Sequence, residues 1–286
     1  MMGTGFALMW SSAFTSAKVA VAYAPPFALL SVRFAISGLL AILIARALGQ
    51  RMRLSRRQWI AVVLFGVFQN VIYLGGNFYA AQYIDASLAV IIASLLPLLV
   101  AGANALRGER LGLVATLGLV AGLAGVVLIM GTRLDGGADP VGVAVVVVGV
   151  LALTLATLLV QGASFGDNVI MVVGLQMLVG STVLLPLSLA TEVWEVDWTW
   201  QLIAAFSYTT LVPGLLATVV WFLLVKRIGA TRAATFHFLN PFLGVSIASL
   251  ILSEALGLRD IIGVMVIMAG ILAVQLARRD RALPPT

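Results

Sequence analysis

Long apolar runs alternate along the chain with short polar breaks. A helix needs about 20 mostly apolar residues to cross a bilayer core. Ten runs meet that length: Gly3–Ala22, Phe27–Leu48, Gln58–Tyr79, Ala86–Leu106, Leu111–Gly131, Val141–Gln161, Val169–Ala190, Gln201–Val225, Gly229–Leu252 and Gly257–Ala277. Most breaks are short, so consecutive helices should be antiparallel neighbours. The longest are a basic break at 47–57, one at 132–140 with Gly136, Gly137 and Pro140, and an acidic, tryptophan-rich one at 191–200. The pattern predicts an all-α polytopic membrane protein with ten transmembrane helices.

The pattern also repeats. Ala86–Pro97 and Ala230–Pro241 align at one constant offset, with Ala86 on Ala230, Ser87 on Thr231 and Pro97 on Pro241. After a one-residue gap, Glu109 aligns with Glu254, Gly112 with Gly257, Gly118 with Gly263 and Gly125 with Gly270. The expected organisation is a first five-helix repeat at 1–131, an outer linker at 132–140 and a second repeat at 141–286. An odd number of spans per copy inserts the second copy upside down. Two inverted repeats are the architecture of many secondary transporters, with the substrate near mid-membrane.

Composition and charge fit this picture. Hydrophobic residues make up 62% of the chain and charged residues 10%, with a mean hydropathy of +1.13. A soluble domain carries roughly 25% charged residues. With the N-terminus inside, Arg46, Arg51, Arg53, Arg56, Arg57, Arg107, Arg110, Lys226, Arg227, Arg232, Arg278, Arg279 and Arg281 fall on the inner side, and only Arg133 and Arg259 on outer loops. That bias sets both termini in the cytoplasm. It also accounts for the net charge of +6, which is scattered over short loops, so no nucleic-acid partner is expected. Trp194, Trp198 and Trp200 suit an outer aromatic belt. No basic region or cleavage site precedes the first span, so no cleavable signal is expected. The chain has no cysteine, which excludes disulfides, thiolate catalysis and cysteine-based metal sites.

Polar residues inside the spans mark the candidate chemistry. In the ninth span His237, Asn240, Pro241 and Gly244 share one helix face. Pro241 and its counterpart Pro97 remove backbone donors, so paired helix breaks bordering a central cavity are expected, with a gating role. Trp10 and Phe14 stand one turn apart with Ser11 and Thr15 beside them, able to stack on and hydrogen-bond an amphipathic ligand. Asn70, Tyr73 and Asn77 share an inward face of the third span, and the repeat offset sets Gly214, Ala217 and Trp221 opposite them. Thr154, Thr157 and Gln161 form a weaker stripe. His237 and Asn240 correspond to Ala93 and Leu96, so the copies differ in polar lining, as one oriented ligand would require. The substrate-binding set is therefore Trp10, Ser11, Phe14, Asn70, Tyr73, Asn77, Thr157, Gln161, Trp221, His237 and Asn240. Each of these could equally serve helix packing. Lys18 and Arg33 could attract a substrate carboxylate, but long side chains near helix ends usually snorkel to the interface or pair structurally. Glu109 and Glu254 lie at helix ends and no acid lies deep in a span, which argues against a carboxylate proton relay. No catalytic group, metal or cofactor is expected.

A family resemblance now has its residues. Trp10-Ser11-Ser12-Ala13-Phe14 with Lys18, then Pro26 and Arg33, resemble the opening of the EamA domains of the drug/metabolite transporter superfamily. The run from Tyr83 through Pro97 to Gly108-Glu109-Arg110-Leu111 fits the same pattern, and Ser253-Glu254 to Gly270 repeats its tail. Ser11 stands where the family usually has glycine, and the second copy lacks the tryptophan opening. The resemblance implies a ten-helix transporter moving metabolites across the inner membrane, often outward, and the chain is most similar to the YddG-type amino-acid exporters. Expected partners are a small amphipathic solute, such as an aromatic or other neutral amino acid, and the lipid bilayer. A transporter of another metabolite or drug, a channel and an intramembrane enzyme are the alternatives. Saturable counterflow separates carrier from channel, and product formation without vectorial movement would mark an enzyme.

Overall fold

The computed structural model describes residues 1–160, 168–228 and 230–281. Ten helices follow in order: α1 Met2–Val21, α2 Pro26–Ala47, α3 Arg56–Ala80, α4 Ala86–Leu106, α5 Leu113–Asp135, α6 Pro140–Val160, α7 Val169–Thr191, α8 at 200–228, α9 at 230–252 and α10 Leu258–Arg281. Among the described residues, nine are long and apolar enough to cross a membrane. The exception is α1, whose 20 residues include Ser11, Ser12, Thr15, Ser16 and Lys18. The sequence ends the fifth span at Gly131, but α5 runs on to Asp135. Its last turn is held by Arg133, which pairs with Asp85 at 3.2 Å and Asp260 at 2.9 Å.

Four helices are interrupted. In α3 a π-helical stretch, Gly66–Gly75, separates Arg56–Phe65 from Gly76–Ala80. In α8 a π-helical turn, Thr210–Leu216, contains Pro213 and separates Trp200–Thr209 from Ala217–Ile228. Gly66 and Thr210 are related by the same offset as Ala86 and Ala230. In α4 the helix stops at Ala93 and resumes at Leu96. In α9 a 3-10 turn, Phe236–Leu239, precedes the resumed helix at Asn240. Pro97 and Pro241 are each the second residue after resumption. A missing N–H costs no intrahelical bond there, and the fixed φ suits a helix start.

The chain forms two compact units, each drawn from both sequence repeats. Unit 1 is Met1–Thr15, Tyr83–Val143 and Leu216–Thr286; unit 2 is Ser16–Gln82 and Ala144–Leu215. In unit 1, α5 and α10 run antiparallel and touch through glycines. A Cβ on Gly118 would stand 2.8 Å from the carbonyl oxygen of Gly270, and one on Gly125 3.2 Å from that of Gly263. Helix backbones approach this closely only where side chains are absent. Gly244 of α9 likewise faces Val90 of α4, and Glu254, just past α9, accepts from the backbone N–H groups of Ala86 (2.7 Å) and Ser87 (2.9 Å) at the start of α4.

Unit 2 repeats the device. Helices α2 and α7 run antiparallel, with a Cβ on Gly38 placed 2.9 Å from the carbonyl oxygen of Gly174. Glu192, just past α7, accepts from the N–H groups of Phe27 (2.8 Å) and Ala28 (3.0 Å) at the start of α2. A carboxylate at a helix N-terminus satisfies donors that no helical carbonyl can reach and complements the helix dipole. Around this pair Leu30, Phe34, Phe78, Leu184 and Leu202 form a buried core.

Candidate functional site

The ring cluster of unit 1 is built from three interrupted or terminal segments. Phe6 and Trp10 stand one turn apart on α1, with centroids 5.6 Å apart. Trp221 comes from α8 and lies 4.9 Å from Phe6. His237 comes from the 3-10 turn of α9, which brings its ring 5.3 Å from Phe6, 6.1 Å from Trp10 and 5.2 Å from Trp221. It meets Phe6 and Trp10 edge-on, at 87° and 88°, the favoured geometry for rings with negative faces and positive edges. Phe6 is buried; Trp10, Trp221 and His237 are half-buried and keep ring surface uncovered by the chain.

The polar end of the cluster is ordered by Asn240, at the first residue of the resumed helix. Its Nδ2 lies 2.9 Å from Nδ1 of His237, and its Oδ1 accepts a long bond of 3.4 Å from the Ser11 hydroxyl. With the amide in this orientation its nitrogen donates to Nδ1 and the ring proton sits on Nε2; with the amide turned over, Oδ1 accepts from a protonated Nδ1. Phe14 is half-buried one turn beyond Trp10 and makes no ring contact among the described residues.

Sequence reasoning missed Phe6, the most buried ring of the cluster. Its signal was the spacing of four from Trp10, the same spacing that singled out Phe14. Of the expected site residues, the structure brings Trp10, Ser11, Trp221, His237 and Asn240 together in one set of contacts. Pro241 is buried and Pro97 half-buried.

The remaining expected site residues lie in unit 2. Asn70, buried in the π-helical stretch of α3, donates through Nδ2 to the carbonyl of Gln176 on α7 at 2.8 Å. Its Cβ stands where a side chain on Gly180 would be, so it ties two helices together. Asn77 donates to the carbonyl of Tyr73 at 2.7 Å, while its Oδ1 is buried without a hydrogen-bond partner. Tyr73 is buried, with its Cα against Gly149 of α6. Thr157 is half-buried and donates to the carbonyl of Leu153 in its own helix, as does the hydroxyl of Thr154 to Val150. Gln161 lies outside the described residues. Of the roles open to Arg33, the structure shows a residue only 7% exposed, lying over the rings of Phe34 and Phe78 at 5.5 and 5.9 Å.

Helices of this kind recur in known proteins. A solved crystal structure superimposes with a TM-score of 0.69, covering 96% of this chain and 97% of its own at 22% identity, which establishes a shared fold. The uncharacterised transporter YvbV of Bacillus subtilis is 26% identical over 92% of this chain and 87% of its own length. YdeK, another uncharacterised transporter of that organism, is 30% identical over 87% of each chain. The uncharacterised inner membrane transporter YedA of Escherichia coli is 21% identical over 97% of this chain and 91% of its own. The model of the EamA-like transporter family matches twice, over residues 1–131 and 140–276. Glycine-packed apolar helices, a half-open cluster of rings and two family matches in tandem leave one assignment: the chain belongs to the EamA-like transporter family and is a multi-pass membrane transporter of small molecules.

Proposed function

We propose that the protein exports amino acids, aromatic and other neutral ones, from the cytoplasm across the inner membrane by alternating access, as the YddG-type exporters do. The observation that carries this reading is the ring cluster. Trp10, Trp221 and His237 offer uncovered ring surface beside the hydroxyl of Ser11 and the amide of Asn240, a match for a solute with an apolar side chain and hydrogen-bonding ends. Phe14 belongs to the same set; Asn70, Tyr73, Asn77, Thr157 and Gln161 are further proposed substrate-binding residues. Pro97 and Pro241 act as hinges where α4 and α9 resume.

Two inverted five-helix repeats, 1–131 and 141–286 about a linker at 132–140, with both termini cytoplasmic, are the proposed architecture. The antiparallel pairing of equivalent helices supports it: α2 with α7, and α5 with α10. Counterflow in proteoliposomes tests the function. Internal unlabelled phenylalanine, tryptophan or leucine should drive saturable uptake of the labelled amino acid. Flux without saturation, or exchange confined to nucleobases or cationic drugs, rejects the reading.

His237 serves in this scheme as a neutral lining group. No acid lies deep in the spans to stabilise or relay a second ring proton, and Nδ1 is already paired with the Asn240 amide. The expected result is that His237→Gln retains exchange and leaves its pH dependence between about 5.5 and 8 nearly unchanged, although an ordinary histidine titrates in that window. If an imposed proton gradient drives accumulation in the wild type and the Gln variant exchanges but no longer accumulates, His237 is the coupling residue instead.

A further inference from the structure

We propose that Arg33 is a recognition site for a carboxylate monoanion, the carboxylate of the transported solute. Arg33 lies on α2 about 10 Å along the helix from its start at Pro26, at 1.5 Å per residue. Its side chain is 93% buried, and Nε has no hydrogen-bond partner. No carboxylate pairs with it among the described residues. Guanidinium stays protonated in proteins, so a full positive charge stands here inside an apolar span. The faces of Phe34 and Phe78 are its visible compensation, and ring faces attract a cation far less than an anion does.

The surroundings are built around this charge. Ser37, one turn along α2, is 1% exposed, and its hydroxyl also lacks a partner. Both groups converge on Gly214 in the π-helical turn of α8. A Cβ there would stand 3.4 Å from Nη2 of Arg33 and 3.7 Å from Oγ of Ser37. Glycine thus lets the guanidinium lie close against the turn. Two buried atoms without partners, Nε of Arg33 and Oγ of Ser37, thus belong to side chains that meet at one turn. π-helical turns recur at functional sites, and a buried ionisable group in a span calls for a partner.

The partner's class follows from the charge. A single guanidinium offers parallel N–H donors that suit a planar carboxylate and balance one negative charge. A phosphate dianion would leave a charge unmatched. This inference rests on the amino-acid reading for the size of the solute and deepens it by naming the group that is read.

The test is ligand-induced thermal stabilisation of the purified full chain in detergent, followed by tryptophan fluorescence. The probes are phenylalanine, leucine, 3-phenylpropionate, phenylalaninamide and inorganic phosphate. In the wild type the three carboxylates should raise the melting temperature and the amide and phosphate should not. Arg33→Gln should weaken carboxylate binding about tenfold or more, with Arg33→Lys in between. Equal binding of phenylalanine and its amide by the wild type overturns the proposal without any variant, as does phosphate binding or no response to any carboxylate. Amino-acid exchange in proteoliposomes whose carboxylate preference survives Arg33→Gln removes this inference and leaves the transport reading. Arg33-dependent carboxylate binding without amino-acid exchange does the reverse.

Discussion

Trp10→Ala is expected to cut amino-acid exchange by roughly 30-fold, the effect of losing about 2 kcal/mol at a binding hot spot. Its ring is half-buried, edge-on to His237 and one turn from Phe6. Part of it packs the cluster and the rest is free to contact solute. The packing share, about 0.5–1.5 kcal/mol per ring pair, sets how far folded yield should fall, which is less than exchange does. Tyr73→Ala and Asn77→Ala belong to the same experiment, because each perturbs a buried polar group in α3. Counterflow rate and monodisperse yield are measured for all three. If all three keep wild-type exchange, the proposed binding set is wrong.

Gly270→Ala is expected to damage the fold itself. A Cβ at that position would meet the carbonyl oxygen of Gly118 at 2.5 Å and the backbone nitrogen of Gly122 at 2.8 Å. Backbone cannot turn aside as a flexible side chain can, so α5 and α10 must part. Overpacking of this kind costs about 1–3 kcal/mol, and parting two helices along their length should reach the upper end. Gly131→Ala is the control, since nothing lies within 4 Å of its Cβ position. Thermal unfolding in detergent compares the two. Equal melting temperatures would mean that the glycine contact does not hold the helices together.

The helices were legible because a span must satisfy its backbone internally and present apolar side chains, and both demands leave their mark on every residue. The helix interruptions before Pro97 and Pro241 were legible for the same reason: a missing N–H is a local fact. The partners of polar side chains were not. Asn70 reads as facing inward, to a ligand or to another helix, but nothing local says that its amide bonds to Gln176, 106 positions away in the chain. Glu254 reads as a helix-end charge, yet it caps the start of α4. Arg33 reads as a cation that could snorkel, pair structurally or attract a carboxylate; that it lies over the rings of Phe34 and Phe78 is written nowhere in α2 alone. Each outcome depends on which helix becomes a neighbour, and periodicity within one helix carries no information about that. Phe6 shows the opposite case. Its spacing from Trp10 was on the page, but its meaning came only with Trp221 and His237 from two distant helices.

The drawing of each unit from both repeats has a consequence for synthesis. Gly118 emerges from the ribosome about 150 residues before Gly270, its contact in the finished protein. At 5–20 residues per second this delay is roughly 8 to 30 s. Throughout it the glycine face of α5 lies against lipid or a temporary neighbour, and α2 waits similarly for α7. Unit 1 closes only with α10. A chain cut short before Leu258 would therefore insert its earlier helices and still present an unclosed glycine surface, the feature by which membrane quality control would distinguish it from a chain that contains α10.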